Sequence, residues 1–231
     1  LHEEVHGLLL DDMRTASQAA SLLAVIASGS HRLSEIGARL AKPAGALTRP
    51  LANLIDLGYV QKEIPFEESE RSTKRTLYRV ADPFVSFWHR FVLPMRSLLH
   101  RDLITPAENN LAETFPKHCA EAWEHLARES VPFLKVGGVT WGPAQRWWGP
   151  AAQSQQEFDI VAESLDGKSV LIGEAKWANK PDIARWRVEL QQRAAKAPFI
   201  RGRQVVHALW VKNGANDADT IGPDAVLAAL R

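Results

Sequence analysis

Apolar positions recur along this chain first at helical spacing and then at the spacing of strands, and the two periods alternate in a definite order. Residues 15–28 (TASQAASLLAVIAS) form a helical run that stops at Gly29, and LSEIGARLA at 33–41 repeats apolar positions at Leu33, Ile36, Gly37 and Leu40. A third helix is predicted over 46–58 (ALTRPLANLIDLG), closed by Gly58. YVQKEIPF and TLYRV read as two strands flanking the charged stretch EESERSTKR. The aromatic run ADPFVSFWHRFVLPMRSLL predicts short helices over the junction between domains, punctuated by Pro94 and Pro106. From Pro116 a helix is predicted with Ala120, Trp123, Leu126 and Ala127 on one face and charge on the other. KVGGVTWGPAQRWWGPAAQ reads as a strand with turns; two apolar runs around Asp166-Gly167, a helix at 181–196 and the strand QVVHALWV follow.

This order predicts an α/β (α+β) chain in two domains. Three short helices followed by a hairpin with a charged tip describe a winged helix-turn-helix with a helical extension over about 10–95, and a mixed-sheet domain follows over about 110–231. On the first, the third helix offers Thr48 and Arg49, and the hairpin offers Lys62, Arg71, Lys74 and Arg75, as contacts to nucleic-acid phosphates, with DNA the expected partner. The same helix holds Pro50, Asp56 and several leucines, and the tip holds Glu67, Glu68 and Glu70, so a protein-binding role stands beside DNA contact.

EFDIVAESLDGKSVLIGEAKW, residues 157–177, places charge inside two apolar runs. Asp166-Gly167 predicts a two-residue hairpin loop. If Leu165 pairs with Lys168, Asp159 falls opposite Glu174 and Glu157 opposite Lys176, with all four side chains on one side. Like charges at directly opposed positions destabilise the pairing, so something must compensate them. A divalent cation, Mg²⁺ or Mn²⁺, prefers such hard oxygen ligands. A retained proton, or neutralisation by Lys176 with Glu157, are the alternatives. With a cation, Asp159, Glu174 and Lys176 suit phosphodiester hydrolysis. Without one, they read as cross-strand ion pairs on a solvated face.

Asp159 followed by Glu174-Ala175-Lys176 resembles the core of the PD-(D/E)XK nucleases, although Glu157-Phe158-Asp159 lacks their Pro-Asp. The resemblance implies metal held by Asp159, Glu174 and the Ala175 carbonyl, with Lys176 positioning water or phosphate. It also implies a further acid from the preceding helix, for which Glu124 is the positional match. Together with RTLYRVADPFVSFWHRFVLP and RWW, the motifs are similar to the C-terminal region of archaeal-type, AAA+-related ATPases over roughly residues 10–200. That likeness implies an ATPase module outside this chain, in keeping with a first residue, Leu1, that is not methionine and points to a fragment. It equally admits a non-catalytic regulatory or oligomerisation module with a vestigial nuclease fold.

Composition narrows the field modestly. A 45% apolar and 24% charged makeup is that of a globular protein, and a net charge of +1 gives no global attraction to nucleic acid. Cys119, the single cysteine, excludes an internal disulfide and suits a reducing cytoplasm; no apolar run predicts a membrane span. HEEVH at 2–6 matches HExxH but has no third ligand in reach, and DGKS at 166–169 is a turn rather than a phosphate loop, with Ala162 where the first glycine belongs. Gln191 and Gln192 stand where they could reach the hairpin site, although a solvated face is the simpler reading. The eight tryptophans read as packing residues.

Overall fold

The computed structural model describes residues 16–69, 75–151 and 154–231. HEEVH and the wing residues Glu70, Arg71 and Lys74 lie outside the described residues. The chain divides into two compact units, residues 1–63 with 71–116, and residues 64–70 with 117–231.

The first unit carries α1 (Ala16–Ala27), α2 (Leu33–Leu40), α3 (Ala44–Asp56), β1 (Val60–Glu63) and β2 (Leu77–Val80), then α4 (Pro83–Phe87), a π-helical turn Trp88–Val92 and α5 (Arg96–Leu99). Helical spacing turns Leu22, Leu23, Ile26, Ile36, Leu47, Leu51 and Leu54 inward, where they meet Val60 and Trp88 in one core. β1 and β2 pair antiparallel, Lys62 opposite Tyr78, and Arg79 bonds Glu63 across them at 2.9 Å. α6 (Ile104–Ser130) begins before Pro116, where the helix was expected to start, and runs through it. Pro106 stands in the first turn, where its missing N–H has no helical partner; Pro116 forgoes one hydrogen bond but keeps a helical φ. Ala107 and Leu111, packed with Phe91 and Met95, hold the earlier turns.

The second unit has a short hairpin of β3 (Lys135–Val136) and β4 (Val139–Thr140), then β5 (Gln145–Ala151), β6 (Ser154–Glu163), β7 (Ser169–Lys176), α7 (Ile183–Ala194), β8 (Gln204–Val211), β9 (Thr220–Ile221) and α8 (Pro223–Ala229). β5 to β9 form a mixed sheet in chain order, antiparallel as far as β7 and parallel from β7 through β9. Each face buries its own core. One gathers Trp147, Phe158, Val161, Ile172, Leu209 and Val211 beneath Leu190 and Ala194 of α7. The other gathers Ile160, Leu171 and Trp210 against Trp123 and Ala127 of α6 and Val226 of α8. With both faces covered, β7 is apolar nearly throughout and buried from Ser169 to Ala175.

Segment 64–70, expected to belong with the first domain, groups with the second unit because Phe66 enters its core. The Phe66 ring lies 5.5 Å from Phe199, and its N–H donates to the Arg146 carbonyl at 2.9 Å. β9 and α8 carry no periodic signal long enough to be read in the sequence. Among the described residues no helix is long and apolar enough to cross a membrane.

Candidate functional site: an acidic pair and two cations at the β6–β7 hairpin

The β6–β7 ladder runs Ile160↔Gly173, Val161↔Ile172, Ala162↔Leu171 and Glu163↔Val170, the register expected from the sequence. The turn itself differs. Leu165 does not pair with Lys168: Ser164 N–H donates to Ser169 O at 3.0 Å and Gly167 N–H to Ser164 O at 2.9 Å, leaving residues 165–168 as the loop. Asp166 Oδ1 accepts from the Ser164 hydroxyl at 2.6 Å and from the Lys168 N–H at 3.1 Å, bonds that hold its carboxyl below the ordinary range. Gly167 supplies the left-handed φ of +71°. The register survives because both loops centre on the same peptide bond.

One turn of ladder further, Asp159 and Glu174 come together. Asp159 Oδ2 accepts the Ala175 N–H at 3.0 Å, so the carboxylate reaches across to the neighbouring strand. Glu174, only 5% exposed, accepts from Lys176 Nζ at 2.6 Å through one oxygen and from the Arg193 guanidinium through the other. Burial and the charge of Asp159 push the Glu174 carboxyl up, against the pull of Lys176 and Arg193. Burial pulls the Lys176 ammonium down, but Glu174 and Asp159 outweigh it and hold its pKa above the ordinary value.

Glu157 does not join this group. Between Gln145↔Val161 and Trp147↔Phe158 the β5–β6 register shifts, so Arg146 alone faces Asp159 and Ile160. Such a bulge inserts one residue and reverses the alternation beyond it. Phe158 therefore shares a core with Val161, while Glu157, paired with Trp148, turns to the other face and bonds Arg146. The predicted partnership of Glu157 with Lys176 is replaced by Lys176 with Glu174.

Supporting residues fix the pair from both sides. Arg193 donates to the Glu157 carbonyl at 3.0 Å and lies over the Phe158 ring at 5.4 Å. Arg128, nearly buried on α6, donates to the Asp159 carbonyl at 3.1 Å. Gly173 leaves room for an indole: a Cβ there would stand 2.6 Å from Trp210 Cζ3. Sequence reading missed Arg193, though a signal exists. It falls in the buried stripe with Trp186, Leu190, Ala194 and Ala197, and a cation in such a stripe implies a buried partner.

Residues 88–196 match the family DUF234, described as archaea bacterial proteins of unknown function. The chain is 26% identical over 193 residues to the uncharacterized protein MJECL04 of Methanocaldococcus jannaschii, a match that covers 79% of this chain and 40% of that protein. The chain thus spans less than half the length of that relative. A crystal structure of protein VC1899 from Vibrio cholerae aligns over 99% of this chain and 52% of its own, at 12% identity and a TM-score of 0.29, too low to establish a shared fold.

The remaining expected residues are dispersed. Glu124 sits half-buried on α6, beside Trp123, whose indole donates to the Trp210 carbonyl at 3.1 Å. Among the described residues no three His, Cys, Asp or Glu side chains gather to hold a metal. Gln191 and Gln192 are exposed. In the first unit Arg49 and Lys62 are exposed, Arg75 is half-buried, and the exposed Thr48 donates its hydroxyl to the Ala44 carbonyl at 3.3 Å. Mg²⁺ is commonly bound through one or two carboxylates, with water and substrate phosphate completing its shell, so the oxygens of Asp159 and Glu174 fit it chemically.

Proposed function

We propose that the second unit is a PD-(D/E)XK-like nuclease module that hydrolyses phosphodiester bonds with Mg²⁺ or Mn²⁺, and that the first is a winged helix engaging nucleic acid. The observation that carries the reading is the strand register, which supports convergence of Asp159 and Glu174 with Lys176 on a buried carboxylate. Asp159, Glu174 and the Ala175 carbonyl would hold the cation, which when bound supplies a polarised water and charge for the departing oxygen. Lys176 binds a non-bridging phosphate oxygen or orients the attacking water, three donors on a stem steadied by Glu174. Arg193 opposes the upward push on the Glu174 carboxyl and aligns it from α7.

Lys176→Ala should lower Mg²⁺-dependent cleavage by about 100-fold or more while leaving the circular-dichroism spectrum unchanged. Undiminished cleavage by a folded variant removes the assignment. A second reading, a regulatory or oligomerisation module with a vestigial nuclease site, draws support from the saturation of Glu174 by two cations. Calorimetric titration of Mn²⁺ into wild type and Asp159→Asn separates them: heat present in the first and lost in the second favours the nuclease, and no heat in either favours the regulator. The 40% span of the archaeal relative accommodates an ATPase module elsewhere in a longer protein, which we include in the proposal as the module's partner.

A further inference from the structure

Beside the acidic pair, at the C-terminal ends of the central parallel strands, lies a group that the nuclease reading does not use. Lys176 pairs with Val211 in the ladder, and the next residue, Lys212, donates its N–H to the Lys176 carbonyl at 3.1 Å. The Lys212 ammonium is then held by two neutral partners. It donates to the Asn179 side-chain oxygen at 2.6 Å and sits 5.0 Å from the centre of the Trp177 ring. Each of these is fixed in turn: Trp177 packs with its ring tilted 48° against the buried Trp123, centroids 5.5 Å apart, and Asn213 donates to the Asn179 carbonyl at 3.1 Å.

Lysine side chains are ordinarily mobile, and most of their cost in binding an anion is the ordering of the stem. Here a ring and an amide have already ordered it. Neither carries a negative charge, and among the described residues Lys212 makes no ion pair. No carboxylate opposes its charge among the described residues, whereas Lys176 is paired with Glu174. Ligands of open α/β sheets lie outside the carboxyl ends of parallel strands, which is where this ammonium projects. Alternation puts Lys176 and Lys212 toward opposite faces of the sheet, so one extended polyanion crossing the strand ends passes both.

We propose that Lys212, set by Trp177 and Asn179, is a phosphate subsite that holds the substrate backbone one step away from the phosphodiester at Asp159, Glu174 and Lys176. The inference rests on the nuclease reading for its substrate class but not for its test, which needs neither metal nor cleavage. A fluorescein-labelled single-stranded oligonucleotide is titrated into the 231-residue protein in EDTA across a series of salt concentrations, with wild type, Lys212→Gln and Lys212→Arg compared. One lost phosphate contact should weaken Lys212→Gln several-fold and flatten the slope of log affinity against log salt by about 0.7. Lys212→Arg should keep the slope. Wild-type slope and affinity in Lys212→Gln overturn the subsite while leaving the nuclease reading untouched. Failure of wild type to bind the oligonucleotide also overturns the subsite, while Mg²⁺-dependent cleavage by wild type against Lys176→Ala decides the nuclease reading separately.

Discussion

The two regions expected to meet nucleic acid are built on opposite physical terms. In the first unit Thr48, Arg49 and Lys62 stand exposed on a helix and a strand, and Thr48 spends its hydroxyl on its own helix. At the β6–β7 hairpin Asp159, Glu174, Lys176 and Arg193 converge, and Glu174 is almost fully buried. Exposed charges are screened, cost nothing to solvate and can be moved without consequence for the fold. A buried carboxylate must be matched by designated cations and hydrogen bonds, so its position is set by the same packing that makes the sheet. The first region therefore leaves its side chains free to be adjusted, whereas the second holds them in a fixed geometry.

If that contrast holds, substitutions should separate cleanly by region. The largest stability loss should come from Gly173→Ala, because the added methyl meets Trp210 at 2.6 Å and the Ala208 carbonyl at 3.2 Å. Overpacking of this kind should cost about 3 kcal/mol, read as a lower urea midpoint for the second unit. A midpoint equal to wild type would mean that the strand and indole are free to part.

Arg193→Met comes next. It leaves Glu174 with Lys176 as its cation and should cost about 2 kcal/mol, whereas Arg193→Lys should recover part of that loss without spanning both Glu174 and the Glu157 carbonyl. A variant as stable as wild type would show that the guanidinium is dispensable to the buried charge.

Among its described residues the first unit has one buried ionisable group, His89, which tests the comparison from the other side. His89, on the π-helical turn, is 2% exposed, and neither ring nitrogen has a hydrogen-bond partner among the described residues. Burial pushes its pKa down to about 4. Between that value and the ordinary imidazole range the unfolded chain binds the extra proton, so stability is full above the unfolded pKa and falls as pH drops toward 4. The loss from pH 7 to pH 5 should be about 1.5–2 kcal/mol. It should appear as a falling melting temperature in wild type and a flatter profile in His89→Leu; parallel profiles would exclude His89 as the cause.

The smallest effects belong to Arg49→Gln and Lys62→Gln, each expected to change stability by less than about 0.5 kcal/mol while reducing the salt slope of oligonucleotide binding. An unchanged salt slope would exclude Arg49 and Lys62 as phosphate contacts.

Much of this was readable along the chain, and the exceptions are instructive. The helices Ala16–Ala27 and Leu33–Leu40 and the strand Gln204–Val211 follow their apolar periods closely. The hairpin register followed from Asp166-Gly167 even though the loop proved to be four residues, since pairing depends on the centre of the turn rather than its type. What escaped was set at a distance. Pro116 lies within a helix that packing of Ala107 and Leu111 sustains, and Phe66 leaves its strand neighbours for an aromatic core around Phe199. Glu157 was assigned to the wrong face because a bulge leaves no mark in local alternation.

By itself the sequence determined which two strands would meet and in what register, because strand period and turn position are local properties that a dozen neighbouring residues specify. Only the tertiary structure decided that Glu157 turns away, that Arg128 and Arg193 arrive from helices on opposite faces, and that Lys212 is fixed against Trp177. Those outcomes depend on which surfaces pack together. Nothing short of the assembled sheet brings such remote residues within hydrogen-bonding distance.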